Sequence, residues 1–249
     1  MEENRNEKIE GDVAIKSPFL SKLENFWYHY KWHTIAAVFI VIMLAVCITQ
    51  CAGREKYDVY VTYAGGEQIS HSSQGGDIPE YNKYLNALTS RAEDYDGNGK
   101  ASVAFSNLFI LSPEEKKEFG EDADYFSMSS DVKTLTDRLY NSEYYVFFVS
   151  KYVYDEYHLM SDTEIFVPLA PYCPTENDFE FYTDRAVYLS STDLYQLPVF
   201  CDMPADTLIC LRIRSAVSSF FGGNKDAQIY ERAEKYITSL FGYKHPSEE

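Results

Sequence analysis

Asp94, Asp96 and Asn98 set oxygen-bearing side chains at alternate positions in the stretch DYDGNGKAS, residues 94–102, with Gly99 next and Ser102 closing it. Hard cations such as calcium are held by roughly six to eight oxygens from carboxylates, amides and hydroxyls. In a twelve-residue calcium loop these residues match positions 1, 3, 5, 6 and 9, but position 12, normally a bidentate Glu, is Phe105. The residues after Gly99 also read as a strand, where a loop of this kind continues as a helix. Two readings follow. The stretch is a polar turn, with Asp96–Gly97 and Asn98–Gly99 supplying the left-handed residues that a turn needs. Alternatively Asp94, Asp96, Asn98 and Ser102 form a weak calcium site completed by a distant carboxylate. No other cofactor is expected.

Catalytic patterns are missing. The sequence has no H-E-x-x-H, C-x-x-C, G-x-S-x-G or P-loop. Beyond the apolar run, its histidines are His71, His158 and His245, scattered through the chain. The neighbouring carboxylates Asp155 and Glu156 would point to different faces of a helix. A non-enzymatic protein is expected. If the chain forms an open α/β sheet, ligands lie outside the carboxyl ends of its strands. That rule singles out Tyr63, Gly65 and Gly66 after one strand, and Ser150, Lys151 and Tyr152 after another. A glycine there lets backbone N–H groups come close to a ligand, or simply turns the chain.

Charge and hydropathy say where such a site would sit. The chain carries a net charge of −17 over 249 residues. Residues 1–33 hold five Lys/Arg and six Asp/Glu, and residues 34–53 none, so −16 belongs to residues 54–249. That balance repels phosphate backbones, so no nucleic-acid partner is expected. Between Lys31 and Arg54 run 22 residues without formal charge, WHTIAAVFIVIMLAVCITQCAG. As a helix they reach about 33 Å, enough to cross a bilayer core. Phe26, Trp27, Tyr28, Tyr30 and Trp32 stand just upstream, where an interfacial aromatic belt belongs. Lys16, Lys22 and Lys31 before the span, against Arg54 and Lys56 after it, place the N-terminus in the cytoplasm. No A-x-A site follows the span, which favours an uncleaved signal anchor. The residue before Cys51 is Gln50, where lipidation wants a small one.

Three segments are expected: a disordered cytoplasmic tail over 1–25, an interfacial and transmembrane helix over 26–53, and an extracytoplasmic α/β domain over 54–249. Cys201 and Cys210 form a bridge, or Cys173, Cys201 and Cys210 are three buried thiols.

The elements of the exported part alternate. YDVYVTYAGG, ASVAFSNLFIL, YYVFFVS, EIFVPL, AVYLS and DTLICLRIR read as strands. Helices are expected after Asp77 with Glu80, after Ser112 with Pro113, through Val132, Leu135 and Leu139, over KYVYDEYHL, and from Ile229 to Phe241 with Gly242 as its stop. Residues 170–184 read as irregular. Strands alternating with helices predict an α/β domain with a mostly parallel sheet flanked by helices.

The passage LTDRLYNSEYYVFFVSKYVYDEY followed by EIFVPL resembles type II extracellular solute-binding proteins, where a helix, a polar turn and a buried strand lead out of the first lobe. The whole chain is similar to uncharacterised, single-pass membrane-anchored proteins of low-GC Gram-positive bacteria. The 196 residues after Gly53 leave a second lobe short. The resemblance implies a truncated solute-binding fold that binds a small solute or displays an interaction surface. The other function in view is an accessory or scaffold subunit of a membrane complex. The expected partners are the bilayer, a small solute and a membrane protein.

Overall fold

The strand β1, Val59–Gly65, is apolar at nearly every position and lies at the heart of the α/β part of the chain. Alternate side chains of a strand point to opposite faces, so a run of this kind must be covered on both. The computed structural model describes residues 18–52, 57–69, 79–120, 125–141, 143–157, 165–174, 178–214 and 216–244. The chain divides into two compact units, Met1–Lys56 and Tyr57–Glu249.

The first unit contains α1, Pro18–Ala52. Its stretch Phe26–Ile48 is 23 residues long, with a mean hydropathy of 2.1 over its most apolar 18 residues, and none of that window is buried. Residues 18–25, expected in a disordered tail, are therefore helical. Pro18 explains the early start: a first-turn proline needs no N–H partner and brings a helical φ.

In the second unit β1 is followed by α2, Pro79–Thr89, β2, Val103–Phe109, α3, Pro113–Phe119, and α4, Tyr125–Asn141. Then come β3, Val146–Ser150, α5, Lys151–Glu156, β4, Phe181–Thr183, β5, Ala186–Tyr188, β6, Thr207–Leu211, and α6, Ala216–Phe241. Short 3-10 turns at Ala170–Tyr172, Leu189–Ser191 and Asp193–Gln196 fill the connections. The sheet order is β2-β1-β3-β6-β5-β4.

The α/β class expected from the sequence is present, with six strands flanked by helices. The mostly parallel sheet is corrected to a mixed one. β1 pairs in parallel with β2 and β3, but β3–β6, β6–β5 and β5–β4 are antiparallel. Parallel neighbours need a crossover of a dozen or more residues, usually a helix. Helices lie between β1, β2 and β3, whereas β4 to β6 are joined by a tight turn and 3-10 turns, so the chain meanders back. The expected strand EIFVPL is reduced to an isolated bridge between Phe166 and Arg212. β4 falls inside 170–184, which the sequence left irregular.

Two apolar layers cover the sheet. On one face Val61, Tyr63, Phe105, Phe148 and Ile209 pack with Leu88 of α2 and with Ile229, Tyr236, Ile237 and Phe241 of α6. On the other, Phe147, Val149 and Cys210 pack with Leu135 and Leu139 of α4 and Val153 and Tyr154 of α5. The start of α3 is a capping box: the Ser112 Oγ accepts from the Glu115 N–H, and the Ser112 N–H donates to the Glu115 carboxylate at 2.6 Å. Asp77, the other expected capping residue, lies outside the described residues.

Cys201 and Cys210 are both free thiols. Cys210 is buried beneath α4 and α5, while Cys201 is exposed in the loop after Phe200, which packs on the opposite face. The sheet lies between them, so their side chains do not meet and no bridge forms. Three buried thiols are corrected as well, because Cys173 is only half-buried.

Arg212, 2% exposed, ties the ends of two elements together. Its Nε donates to the Tyr144 carbonyl at 2.9 Å and its Nη1 to the Leu139 carbonyl at 3.0 Å. The guanidinium also stands 4.4 Å from the centre of the Tyr145 ring, and the Tyr145 hydroxyl donates to Asp226 at 2.6 Å. Replacing Arg212 with Leu removes the donors to both carbonyls and the cation over the Tyr145 ring. The expected loss is about 2–4 kcal/mol, read from the urea midpoint of the full chain in detergent micelles.

Candidate functional site

Asp58, the residue just before β1, has no exposed surface. Its Oδ1 accepts from the Tyr95 and Asp96 N–H groups at 3.0 and 2.9 Å, and its Oδ2 from the Ser102 N–H and hydroxyl, both at 2.9 Å. The loop 94–102 is thereby clasped to the amino end of β1. Asp94 takes the N–H groups of Gly97, Asn98 and Gly99, Asp96 takes that of Asn98, and Asn98 takes that of Lys100. Those donors, Gly99 first, hold the Asp94 carboxyl below its ordinary value. Gly97 and Gly99 sit at φ of 75° and 89°, the left-handed region that the turn requires.

Asp58, Asp94 and Asp96 bring carboxylate oxygens within 4.8 Å of one another, so Asp58 is the distant carboxylate that a calcium site would call on. A carboxylate accepts about four hydrogen bonds, however, and Asp58 has all four. The Ser102 hydroxyl is spent on Asp58 too. The loop is complete without a cation, and the arrangement favours the turn. Millimolar calcium is expected to leave the melting temperature unchanged, whereas Asp58→Ala lowers stability by about 2–4 kcal/mol by stranding buried donors.

The ends of β1 and β3 meet at the place where chain direction across the sheet reverses. β1 connects outward to β2 on one side, and β3 lies on the other, which is the topological switch point of an open sheet. Gly65 and Ser150 come together there: a Cβ on Gly65 would lie 3.2 Å from the Ser150 Cβ and 2.6 Å from the Tyr63 hydroxyl. Gly65 is thus small because Tyr63 and Ser150 crowd it. Gly66 backs onto the Glu115 carboxylate. Tyr63 is fully buried, its hydroxyl accepting the Glu67 N–H at 3.2 Å, and burial pushes its pKa up. Ser150 caps α5 by accepting the Val153 N–H. Lys151 places its ammonium 5.0 Å from the Tyr182 ring, and Tyr152 packs against Tyr157 on the opposite face of the sheet.

None of these six residues lines the nearby cleft. That cleft, about 460 Å³, opens one residue past Gly66, and its walls include Glu67, Ile69, Glu80, Lys83, Tyr84 and Asp202. The carboxyl-edge rule points to the corner of the sheet beside this cleft and ends one residue before Glu67. Glu80 and Tyr84 were legible only as helix residues. Asp202 gave no sign at all, since a long loop of 3-10 turns brings it back from far along the chain. His71, His158 and His245 lie outside the described residues.

Burial, then Asp202 and Glu115, raise the Glu67 carboxyl above its ordinary value. Burial, then Glu67 and Asp202, push Tyr84 up to about 12. Asp206, next to the switch point, is raised by burial and by Glu115. A carboxyl whose folded pKa is raised stabilises the fold below its unfolded value, near pH 4, and loses that contribution as pH rises through the folded value. Glu67→Gln is therefore expected to raise the melting temperature at pH 7 and to leave it unchanged at pH 4, as read by melts across that range.

No family model, curated protein or solved structure matches this chain.

Proposed function

We propose that this protein is a single-pass, membrane-anchored, non-enzymatic binding protein. Its N-terminus is cytoplasmic, and its acidic α/β unit stands outside the membrane and holds a small solute at the carboxyl edge of the sheet. The observation that carries the binding function is the cleft beside Glu67 at the switch point of β1 and β3, the position where open α/β sheets take ligands. The anchor rests on the 23-residue apolar stretch of α1, whose length matches a bilayer core and whose aromatic residues gather at one end. The likeness to type II solute-binding proteins belongs to the same proposal, and the parallel β1, β2 and β3 with their crossover helices support it.

Two measurements test it. Alkaline extraction of cells should leave the full chain in the membrane pellet, and protease added to whole cells should remove residues 57–249. A melting-temperature screen of the full chain in detergent micelles, against sugars, amino acids, amines and short peptides, should give stabilisation by one class. A ligand at a hundred times its dissociation constant adds about 2.7 kcal/mol. If every class leaves the melting temperature unchanged, the solute reading falls and an accessory role in a membrane complex replaces it.

A further inference from the structure

The amino edge of the sheet carries a surface whose residues suit a lipid headgroup layer, an inference that rests on the anchored reading of α1. β1, β2 and β3 run parallel, so their first residues lie at one edge. Tyr57 and Tyr60, at the start of β1, meet edge to face with ring centres 5.8 Å apart. Tyr60 in turn lies 5.2 Å from Tyr144, which precedes β3, and the Arg138 guanidinium stands 4.2 Å from the centre of the Tyr144 ring. All four residues are half-buried. Two neighbouring elements end at the same edge. Tyr140, in the last turn of α4, is 51% exposed, and Ile213, just past β6, is 39% exposed. β6 ends there because it is antiparallel to β3, and α4 ends there because Arg138 reaches Thr62 and the Leu139 carbonyl receives Arg212.

A second observation is covalent. Ala52 closes α1 and Tyr57 opens the α/β unit, with four residues between them. Five peptide steps span about 18 Å when fully extended. The headgroup region of a bilayer adds about 5–8 Å beyond the hydrocarbon on each side. A bilayer that holds Phe26–Ile48 therefore keeps its headgroups within reach of the edge where β1 begins.

We propose that the amino edge of the sheet docks on the lipid headgroup layer of the membrane that holds α1. Tyr57, Tyr60, Tyr140 and Tyr144 supply the rings of this contact, Ile213 its aliphatic part, and Arg138 its cation for a lipid phosphate. Tyrosine favours headgroup depth because its ring is apolar and its hydroxyl stays wet. A guanidinium forks onto phosphate oxygens. The exposed acids Glu93 and Asp94 flank this edge, so the contact rests on the rings rather than on attraction to an anionic leaflet, and salt leaves it in place. The seven residues of β1 rise about 23 Å from this edge to the other, so docking turns the cleft beside Glu67 toward the water.

The test uses the full chain in vesicles of dioleoyl phosphatidylcholine, with and without a fraction of the lipid brominated high on its acyl chains as a fluorescence quencher. The two native tryptophans, Trp27 and Trp32, lie in α1 and are replaced by Phe. Single reporters then mark the two ends of α4. Tyr140→Trp reads its last turn. Phe126→Trp reads its first turn, 88% exposed and at the carboxyl edge, where Met128 packs on Leu111 and Asp131 accepts the Phe109 N–H. The expected result is a loss of emission from Tyr140→Trp in brominated vesicles, unchanged at high salt, with Phe126→Trp as bright as in plain lipid. Each reporter must melt with the parent chain in detergent micelles, and Ile213→Trp replaces Tyr140→Trp if that variant does not. The proposal is overturned if the amino-edge reporter keeps its emission while the chain floats with the vesicles after an alkaline wash, because the unit then stands clear of the lipid on its tether. Equal quenching at both ends, or quenching at Phe126→Trp alone, overturns it as well. A chain that fails to float removes the anchored reading itself, and the docking with it.

Discussion

Strands that are apolar on both faces cannot be left half-covered, and β1, β3 and β6 impose that condition on the whole α/β unit. Val146 to Val149 of β3 are all fully buried, so one apolar layer must form above the sheet and another below it. The chain meets this with α2 and α6 on one side and α4 and α5 on the other. Burial of this kind stabilises by roughly 25 cal/mol per Å² of apolar surface, and it dominates the polar contacts in scale. Everything polar has to be settled at the edges of that sandwich.

The two edges settle it in opposite ways. At the amino edge, Asp58 sits with no exposed surface and gathers four donors, so the loop 94–102 closes on itself. Charge there is balanced by backbone N–H groups. At the carboxyl edge, burial first, and then the charges of Asp202 and Glu115, raise the Glu67 carboxyl above its ordinary value. The same residue type is thus a structural clasp at one end and an unanswered charge at the other. Counting acids in the sequence does not separate these cases, because the difference lies in how many N–H groups the fold aims at each oxygen.

Chain direction shows a similar division. Parallel pairing holds where helices intervene, between β1, β2 and β3. It gives way to a meander where the connections shrink to a turn after Thr183 and to 3-10 turns after Tyr188. The strand composition of AVYLS and DTLICLRIR is the same for either direction. What decides it is whether the intervening chain forms a crossover helix, and residues 189–206 do not.

The sequence by itself determined the elements whose signals are local. The apolar span of α1, the double-sided β3, the Ser112 capping box and the face of α6 ending at Gly242 were all legible, because length, period and capping are properties of neighbouring residues. The corner of the sheet where β1 and β3 end was legible too, through Tyr63, Gly65 and Ser150. Tertiary structure alone decided that Gly65 is crowded by Tyr63, that Asp58 saturates itself on Tyr95, Asp96 and Ser102, and that Asp202 shares a cleft wall with Glu67. Each of these depends on contacts between residues far apart in the chain, and their distances are set by how the two apolar layers pack, which no local pattern encodes.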